Sequence, residues 1–313
     1  MPPTTRNMNT TSNLGHPVNI FYQKAFLSRR MPLMIYAMFG MPYSIPAHEG
    51  DTIYWDRFTN PTAQSTPLIE GEDPRPILQT RTTISARVRE FGAWLKCSST
   101  MGVTAPASYT TQKAEWLSDQ SALTLDTVCR DTLVGTASST TCSNGTPTAT
   151  MINETDVLTV SETMLVNRAR QFAPEIMAGT GQGTSPAIKA FVMISDSRLR
   201  NDFFNEGSFL KVSQYGSSTK TWPGEIGQLG DCRVLLTENG YLSGSNYTNL
   251  IISTEAYGNV KLPANDKPLI FHGAAQVGSP LERFSTYGWV QTYAARILRD
   301  EWIQALVSTR GSR

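Results

Sequence analysis

Histidine and cysteine, which carry much of the nucleophilic and metal-binding chemistry of proteins, are scarce in this chain. It has three histidines and four cysteines in 313 residues. The cysteines form no CxxC pair and have no histidine at a ligand spacing, so the sequence indicates neither a zinc site nor a disulfide framework. None of the histidines lies in an HExxH motif or a nucleophile elbow. We therefore expect no enzyme activity, no metal, no cofactor, and a reducing compartment.

Charged residues are also few, at 17% of the chain, and their signs nearly cancel to a formal net charge of +1. No global field therefore attracts nucleic acid or an anionic membrane, and any DNA contact has to be local and weak. Hydrophobic residues make up 40%, which is typical of a globular protein. Much of the surface must then be uncharged and polar, which suits packing against neighbours. The length fits two compact units, or one large domain with extended arms.

Two short patterns imitate functional motifs without meeting their requirements. Residues 31–41 are apolar, but they are too short to span a bilayer, contain Pro32 and start too late for a signal peptide, so we expect a buried segment and no membrane partner. Gly179, Gly181 and Gly183 precede a strand instead of opening a helix after one, and no Walker sequence is present. We interpret this glycine cluster as a flexible loop.

The periodicity of apolar residues predicts a mixed α+β order. Residues 1–20 form a polar arm, and a helical spacing then runs from Ile20 to Pro32. The strongest helix covers 105–134, with Thr104 as a possible N-cap and Pro106 in its first turn. Its broad apolar face consists of Trp116, Leu117, Leu125, Val128 and Leu133. Further helices are predicted over 154–173 and 196–206, strands over 191–194, 234–236, 250–253, 269–271 and 287–299, and a loop over 135–150.

A long stretch rich in proline, residues 58–80, separates two segments of β character. Structureless stretches of more than about 12 to 15 residues are uncommon inside compact domains unless they are functional or disordered. Residues 52–55 precede it, and Ile84, Ala86 and Val88 alternate with polar residues after it. We interpret the flanking runs as the legs of one hairpin that projects about 40 Å, at about 3.3 Å per residue. Because an isolated hairpin is marginal in water, a partner surface is needed to order it.

One motif connects these elements to a known family. Residues 224–230, GEIGQLG, followed by Arg233 and Val234, are similar to a segment of the N4-type family of tailed-phage major capsid proteins, which have the Hong Kong 97 (HK97) capsid fold. Other family-like segments follow the same order over residues 20 to 305. They are the start of the chain over 22–40, PLIEG at 67–71, FGA at 91–93, TLD at 124–126, EAYG at 255–258, SPL at 279–281 and YGW at 287–289.

The resemblance implies an HK97-like α+β fold and a role as the major capsid protein of a tailed double-stranded DNA bacteriophage. Pentamers and hexamers of the chain would build an icosahedral virion shell around the genome, assembled in the bacterial cytoplasm with a scaffolding protein, a portal and possibly a decoration protein. The implied divisions are an N-terminal arm (1–50), an extended loop hairpin (51–98), a peripheral domain with a spine helix (99–153), an axial domain (154–278) and a return to the peripheral domain (279–313).

Specific residues follow from this mapping. We expect subunit contacts at Pro67, Leu68, Glu70 and Arg75 in the hairpin, and at Trp222, Glu225 and Arg233 in the axial part. The cationic residues Arg6, Lys24, Arg29 and Arg30 would face the interior and touch packaged DNA weakly.

Two other interpretations remain open at this point. The same fold serves the shell of an encapsulin-like nanocompartment, which encloses a cargo protein instead of DNA. A soluble α+β enzyme whose long loop is an active-site lid would instead be a monomer or small oligomer with a ligand pocket.

Overall fold

The computed structural model describes residues 34–71, 73–98, 108–143, 148–172, 189–215, 221–273, 276–277 and 281–311. The strands are β1 (Met41–Ser44), β2 (Thr52–Phe58), β3 (Arg81–Arg87), β4 (Arg89–Ser98), β5 (Ser138–Thr141), β6 (Phe191–Asp196), β7 (Leu210–Lys211), β8 (Glu225–Leu229), β9 (Cys232–Thr237), β10 (Tyr241–Ser243), β11 (Asn246–Ile252), β12 (Tyr257–Lys261), β13 (Lys267–His272), β14 (Phe284–Ile297) and β15 (Ile303–Thr309). The helices are α1 (Ser108–Thr136), α2 (Glu154–Val166) and α3 (Arg200–Asn205), with 3₁₀ turns at Ser197–Leu199, Val212–Gln214, Pro263–Asn265 and Asp300–Trp302. Four strands precede α1, single strands separate the three helices, and nine strands follow α3 in the described part of the chain. Segregated strands of this kind, mostly paired antiparallel, confirm the α+β class.

The larger sheet has eight strands, in the order β5-β15-β11-β6-β9-β8-β7, with β10 added along β11. Strand β6 lies inside it, antiparallel to β11 and parallel to β9, and every one of its residues is buried. A strand covered on both faces needs a continuous apolar run, which FVMI at its start provides. The main hydrophobic core packs against this sheet and includes Val157, Val160 and Met164 of α2.

The smaller sheet has five strands and is built around β14. Strand β4 pairs antiparallel with β14 from Phe284↔Ser98 to Tyr293↔Arg89, β13 and β12 also pair with it, and β1 lies parallel to β12. These pairings confirm the strand predicted over 287–299 and place it at the centre of the sheet. The next strand, β15, belongs to the larger sheet, so the chain crosses from one sheet to the other between 298 and 302.

Helix α1 packs across β14 and ends two residues beyond its predicted end. Its buried face repeats at helical spacing through Leu117, Leu125, Cys129 and Leu133, all less than 2% exposed. Trp116, predicted to share this face, is 52% exposed. It precedes Leu117, and successive side chains on a helix point about 100° apart. The proposed N-cap Thr104 and Pro106 lie outside the described residues.

Helix α2 ends earlier than the prediction of 173. Asn153 caps its start by accepting the backbone N–H of Asp156 at 2.7 Å. At its other end the N–H of Arg168 bonds the carbonyl of Leu165 and that of Ala169 bonds Met164, while Arg168 adopts a φ of 58°. This is a Schellman ending, which usually has glycine in the left-handed position. With arginine there instead, the sequence carried no stop signal.

The prediction of a loop over 135–150 was wrong in part. Strand β5 lies within it and pairs parallel with β15, which the sequence analysis also missed. All four residues of β5 are exposed serine or threonine. Such a strand is held by its backbone bonds and shows no apolar alternation to detect.

Candidate interaction surfaces

Strands β2 and β3 form an antiparallel hairpin with seven residue pairs, from Thr52↔Arg87 to Phe58↔Arg81. The predicted hairpin is therefore present, but its paired legs are shorter than predicted. Beyond the bond from Thr59 N–H to the Thr80 carbonyl at 3.0 Å, the described residues of the range 60–79 form no strand. Proline cannot donate to a ladder, and four prolines lie between 61 and 76.

The hairpin is fixed to the body at its root. Ala86 and Val88 are buried with Ile45 and Val260 in a small separate cluster, which confirms the alternation predicted from Ile84 onward. The rings of Tyr43 and Trp55 meet edge to face at 5.2 Å in the same cluster. Apolar burial at the root thus sets the direction in which the rest of the hairpin points.

The segment between the strands, residues 59–80, is here called the hairpin loop. Every described residue of it is exposed, including the predicted contact residues Pro67, Leu68, Glu70 and Arg75. Four large apolar side chains on it are at least 68% exposed: Leu68, Ile69, Ile77 and Leu78, the last at 90%. Clustered apolar side chains of this kind mark an interaction surface.

Three other predicted contact residues form one cluster inside the subunit. The Glu225 carboxylate accepts the backbone N–H of Trp222 at 2.9 Å and the hydroxyl of Tyr215 at 3.0 Å. The guanidinium of Arg233 lies 3.9 Å from the same carboxylate and 5.0 Å from the Trp222 ring. The side chains of Glu225 and Arg233 are 0% and 1% exposed. Their role in contacts between subunits stays a prediction.

Burial determines the electrostatics of this cluster. Removal from water raises the pKa of Glu225, although the Trp222 N–H, Arg233 and Tyr215 act against this. The glycines of the GEIGQLG motif fit the same region. Gly224 has a φ of 81°, and a side chain at Gly227 would collide with Leu210 and Phe209. The motif therefore describes a turn and a close strand approach that hold Glu225 in place.

A second buried polar network, which we call the junction, consists of Tyr36, Asp126, Asn239, Tyr257 and Asn259. Asp126 of α1 accepts the Tyr36 N–H at 2.8 Å and the Asn239 side-chain amide at 3.0 Å. The Tyr257 hydroxyl donates to the Tyr36 carbonyl, and Asn259 donates to the Ala37 carbonyl at 2.8 Å. The junction ties α1 and the smaller sheet to the segment that enters β1.

Sequence reasoning missed the junction. Asp126 lies on a predicted helix, where a carboxylate is usually solvated or ion-paired, whereas in the structure it is fully buried. Burial raises the pKa of Asp126 against the effect of its hydrogen bonds. The apolar segment 31–41 gave the one available signal, and its prediction as buried holds for Tyr36.

The predicted interior residues Arg6, Lys24, Arg29 and Arg30 lie outside the described residues. Across the part of the chain that the structure describes, no group of His, Cys, Asp and Glu is arranged to hold a metal ion. In that same part, no helix has the length and apolar character to cross a membrane.

All four cysteines are unpaired and buried, and burial raises the pKa of Cys129 and Cys232 to about 12. These two thiols are therefore poor nucleophiles at neutral pH.

The fold is similar to that of solved structures from phages. The capsid of Cyanophage P-SCSP1u superposes with a TM-score of 0.61 at 10% identity and covers 89% of each chain. The capsid of Ralstonia phage GP4 gives 0.61 at 11% identity, over 86% of this chain and 87% of that one. A structure from Mycobacterium phage Patience gives 0.58 at 8% identity, over 100% and 95%.

The chain therefore has the HK97-like capsid fold, as the sequence analysis predicted. No protein-family model matches the sequence, and no curated protein matches it. Such low identities establish the shared fold and leave the role of this chain to be argued from its own surfaces.

Proposed function

We propose that the chain is the major capsid protein of a tailed double-stranded DNA bacteriophage, related to the N4-type family. Copies of it would form the pentamers and hexamers of an icosahedral shell around the genome. The observation that carries this proposal is the hairpin loop, a fully exposed segment with large apolar side chains, on a subunit that has a capsid fold.

The loop argues for self-association in terms of free energy. Each large apolar side chain gains about 1.5–3 kcal/mol when it is fully buried, and four of them are exposed on this loop. A monomer gains nothing from exposing them, whereas a neighbouring copy that covers them does. Since every subunit would both donate and receive a loop, modest contacts add up around closed rings.

The rest of the subunit supplies the stiffness that such a shell needs. The junction fixes α1 against the smaller sheet, and the root cluster fixes the hairpin against β12 and β14. Bending between five-fold and six-fold environments would then be taken up by the proline-rich hairpin loop, where no ladder bonds have to break.

The finer assignments form part of the same proposal. The N-terminal arm (1–50), extended loop (51–98), peripheral domain (99–153 and 279–313) and axial domain (154–278) keep their predicted bounds. Strand β4, which falls in the extended-loop range, pairs within the smaller sheet. Strand β15, which falls in the second peripheral range, pairs within the larger sheet. A scaffolding protein, a portal, a decoration protein and weak contact with packaged DNA through Arg6, Lys24, Arg29 and Arg30 are expected in the virion and during its assembly in the host cytoplasm.

The test is negative-stain electron microscopy of the chain expressed alone, at rising concentration and again with a co-expressed scaffold. We expect closed shells, tubes, or rings of five and six. DNA inside particles recovered from infected cells supports the phage role, while a protein cargo supports a nanocompartment. A chain that stays monomeric under every condition would contradict both and favour an enzyme with a lid.

A further inference from the structure

A cleft of about 550 Å³ lies where the hairpin meets the body of the subunit. The start of the hairpin loop forms one wall, and the end of α2 with the turn before β15 forms the other. Three arginines and one glutamate line it: Arg57, Arg168, Arg299 and Glu301. These four side chains carry a net formal charge of +2, three positive against one negative.

Local structure holds these arginines in place. Arg57 pairs with Glu301 at 3.4 Å, and Arg299 stacks 4.2 Å above the Trp302 ring. Arg168 is exposed and occupies the left-handed position that ends α2, with a φ of 58°. Glycine is the usual residue there, and a larger side chain is strained. An arginine that keeps this unfavourable backbone conformation at the rim of a cationic cleft indicates a functional role for its side chain.

The hairpin loop has the opposite charge. Between residues 59 and 80 the sequence has Glu70, Glu72, Asp73 and one base, Arg75, for a net formal charge of −2. Glu70, Asp73 and Arg75 are exposed. Glu70 lies eleven residue steps beyond Thr59, which allows a reach of about 36 Å from the root when the chain is extended. The acidic tip of one copy is thus long enough to approach the body of another.

We propose that the acidic tip, Glu70 and Asp73, docks in the arginine cleft of a neighbouring copy. This inference rests on the proposed function and names the surface that receives the loop. The contact is head to tail, because the tip and the cleft are different parts of the same chain, and such contacts close into rings when the rotation allows. Carboxylates and guanidinium groups form charge-assisted pairs, which select the register between two surfaces.

A nucleic-acid phosphate is the alternative anion for this cleft. The observations favour the second copy, because the net charge of the whole chain is only +1 and three arginines give a small footprint for a polyanion. The loop also brings apolar residues Leu68 and Ile69 beside its carboxylates, and phosphate contacts make no use of such groups.

Charge reversal with rescue tests the docking. The variants are Arg168→Glu/Arg299→Glu in the cleft, Glu70→Arg/Asp73→Arg in the loop, and the chain that carries all four substitutions. We expect each double variant to raise the concentration needed for assembly at least about tenfold, and the quadruple variant to return it to within about threefold of the wild type. Arg198→Glu/Arg200→Glu is the control, because it makes the same charge change at exposed residues outside the cleft.

A proximity measurement complements the reversal. Asp73→Cys/Arg168→Cys should give disulfide-linked multimers on denaturing gels after mild oxidation of assembled particles, while either single variant should not, since the native cysteines are buried. The docking would be overturned if both reversal variants assembled into shells as readily as the wild type and no disulfide-linked multimers formed. The proposed function would then still stand, because the wild type assembles. Failure of the wild type to assemble would overturn both. An Arg168→Glu/Arg299→Glu variant that forms normal shells but loses binding to a labelled DNA duplex would overturn the docking in favour of phosphate.

Discussion

The junction and the hairpin loop differ in which side chains they bury and which they expose. In the junction, polar groups are buried and form most of their hydrogen bonds within the subunit, although the buried Tyr36 hydroxyl has no partner among the described residues. In the loop, apolar groups are exposed and their partner has to come from outside. Burying polar groups without partners and exposing clustered apolar groups both cost free energy. The junction therefore reports on the stability of the subunit, and the loop reports on association.

Deleting residues 62–76 should separate the two regions most completely. The root cluster and the β2–β3 ladder do not include these residues, so the subunit should stay folded and soluble. Closed shells should disappear. Electron microscopy gives the assembly result, and thermal unfolding gives the stability result. Normal particles from the deleted chain would contradict the role assigned to the loop.

Asp126→Ala should have the largest effect on stability. It leaves the buried Tyr36 N–H without its acceptor, at about 1–3 kcal/mol for an unsatisfied group, whereas the half-buried Asn239 amide keeps the Thr127 hydroxyl as acceptor at 3.2 Å. We expect the free energy of unfolding to fall by about 1–3 kcal/mol in a urea titration. Asp131→Ala is the matched control on the same helix, because the Asp131 side chain is 52% exposed. Its change should stay within about 0.5 kcal/mol, and equal losses in the two variants would argue against the junction.

Leu78→Ser should show the reverse pattern. The side chain is 90% exposed in the subunit, so the unfolding midpoint should not move. Assembly should weaken by about tenfold, because about 1.5 kcal/mol of apolar burial is lost at each contact. Light scattering against concentration measures this. Trp116→Ser is a control at an exposed aromatic residue outside the loop. An equal weakening of assembly in this variant would contradict the specific role of the loop in association.

The smallest effect concerns pH. Because burial raises the pKa of Glu225 above its ordinary value of 4.5, the folded state binds this proton more tightly than the unfolded state does. The resulting stabilisation is present below the ordinary pKa and is lost as pH rises through the raised one. The glutamine in Glu225→Gln does not titrate, so this variant lacks the pH-dependent stabilisation. The melting temperature of the wild type minus that of Glu225→Gln should therefore fall as the pH rises above the ordinary value of 4.5. A constant or rising difference would contradict the raised pKa.

The sequence was sufficient for the parts of the fold that local patterns encode. The hairpin, α1 and the central strand β14 each show an apolar period that matches their geometry. Strand β5 could not be found in this way, because its residues are polar and exposed and its pairing partner β15 lies far along the chain.

The candidate interaction surfaces were likewise predictable only where their residues are contiguous in sequence. The exposed loop was predictable, since its prolines and apolar residues are contiguous in sequence. The junction was not, because the partners of Asp126 are 90 and 113 residues away. The arginine cleft also combines side chains from three separate segments. Only the folded chain brings such residues together, and a single sequence carries no record of that proximity.

The order in which the strands are synthesised has a consequence for timing. Strand β14 is the centre of the smaller sheet, and β15 lies between β5 and β11 in the larger one. Both are synthesised after all the other strands that the structure describes. Neither sheet can therefore be completed before residue 309 has left the ribosome, so the body that should receive a neighbouring loop forms late in synthesis. Products of premature termination before residue 284 would lack a strand from each sheet, and a growing shell would thereby exclude them.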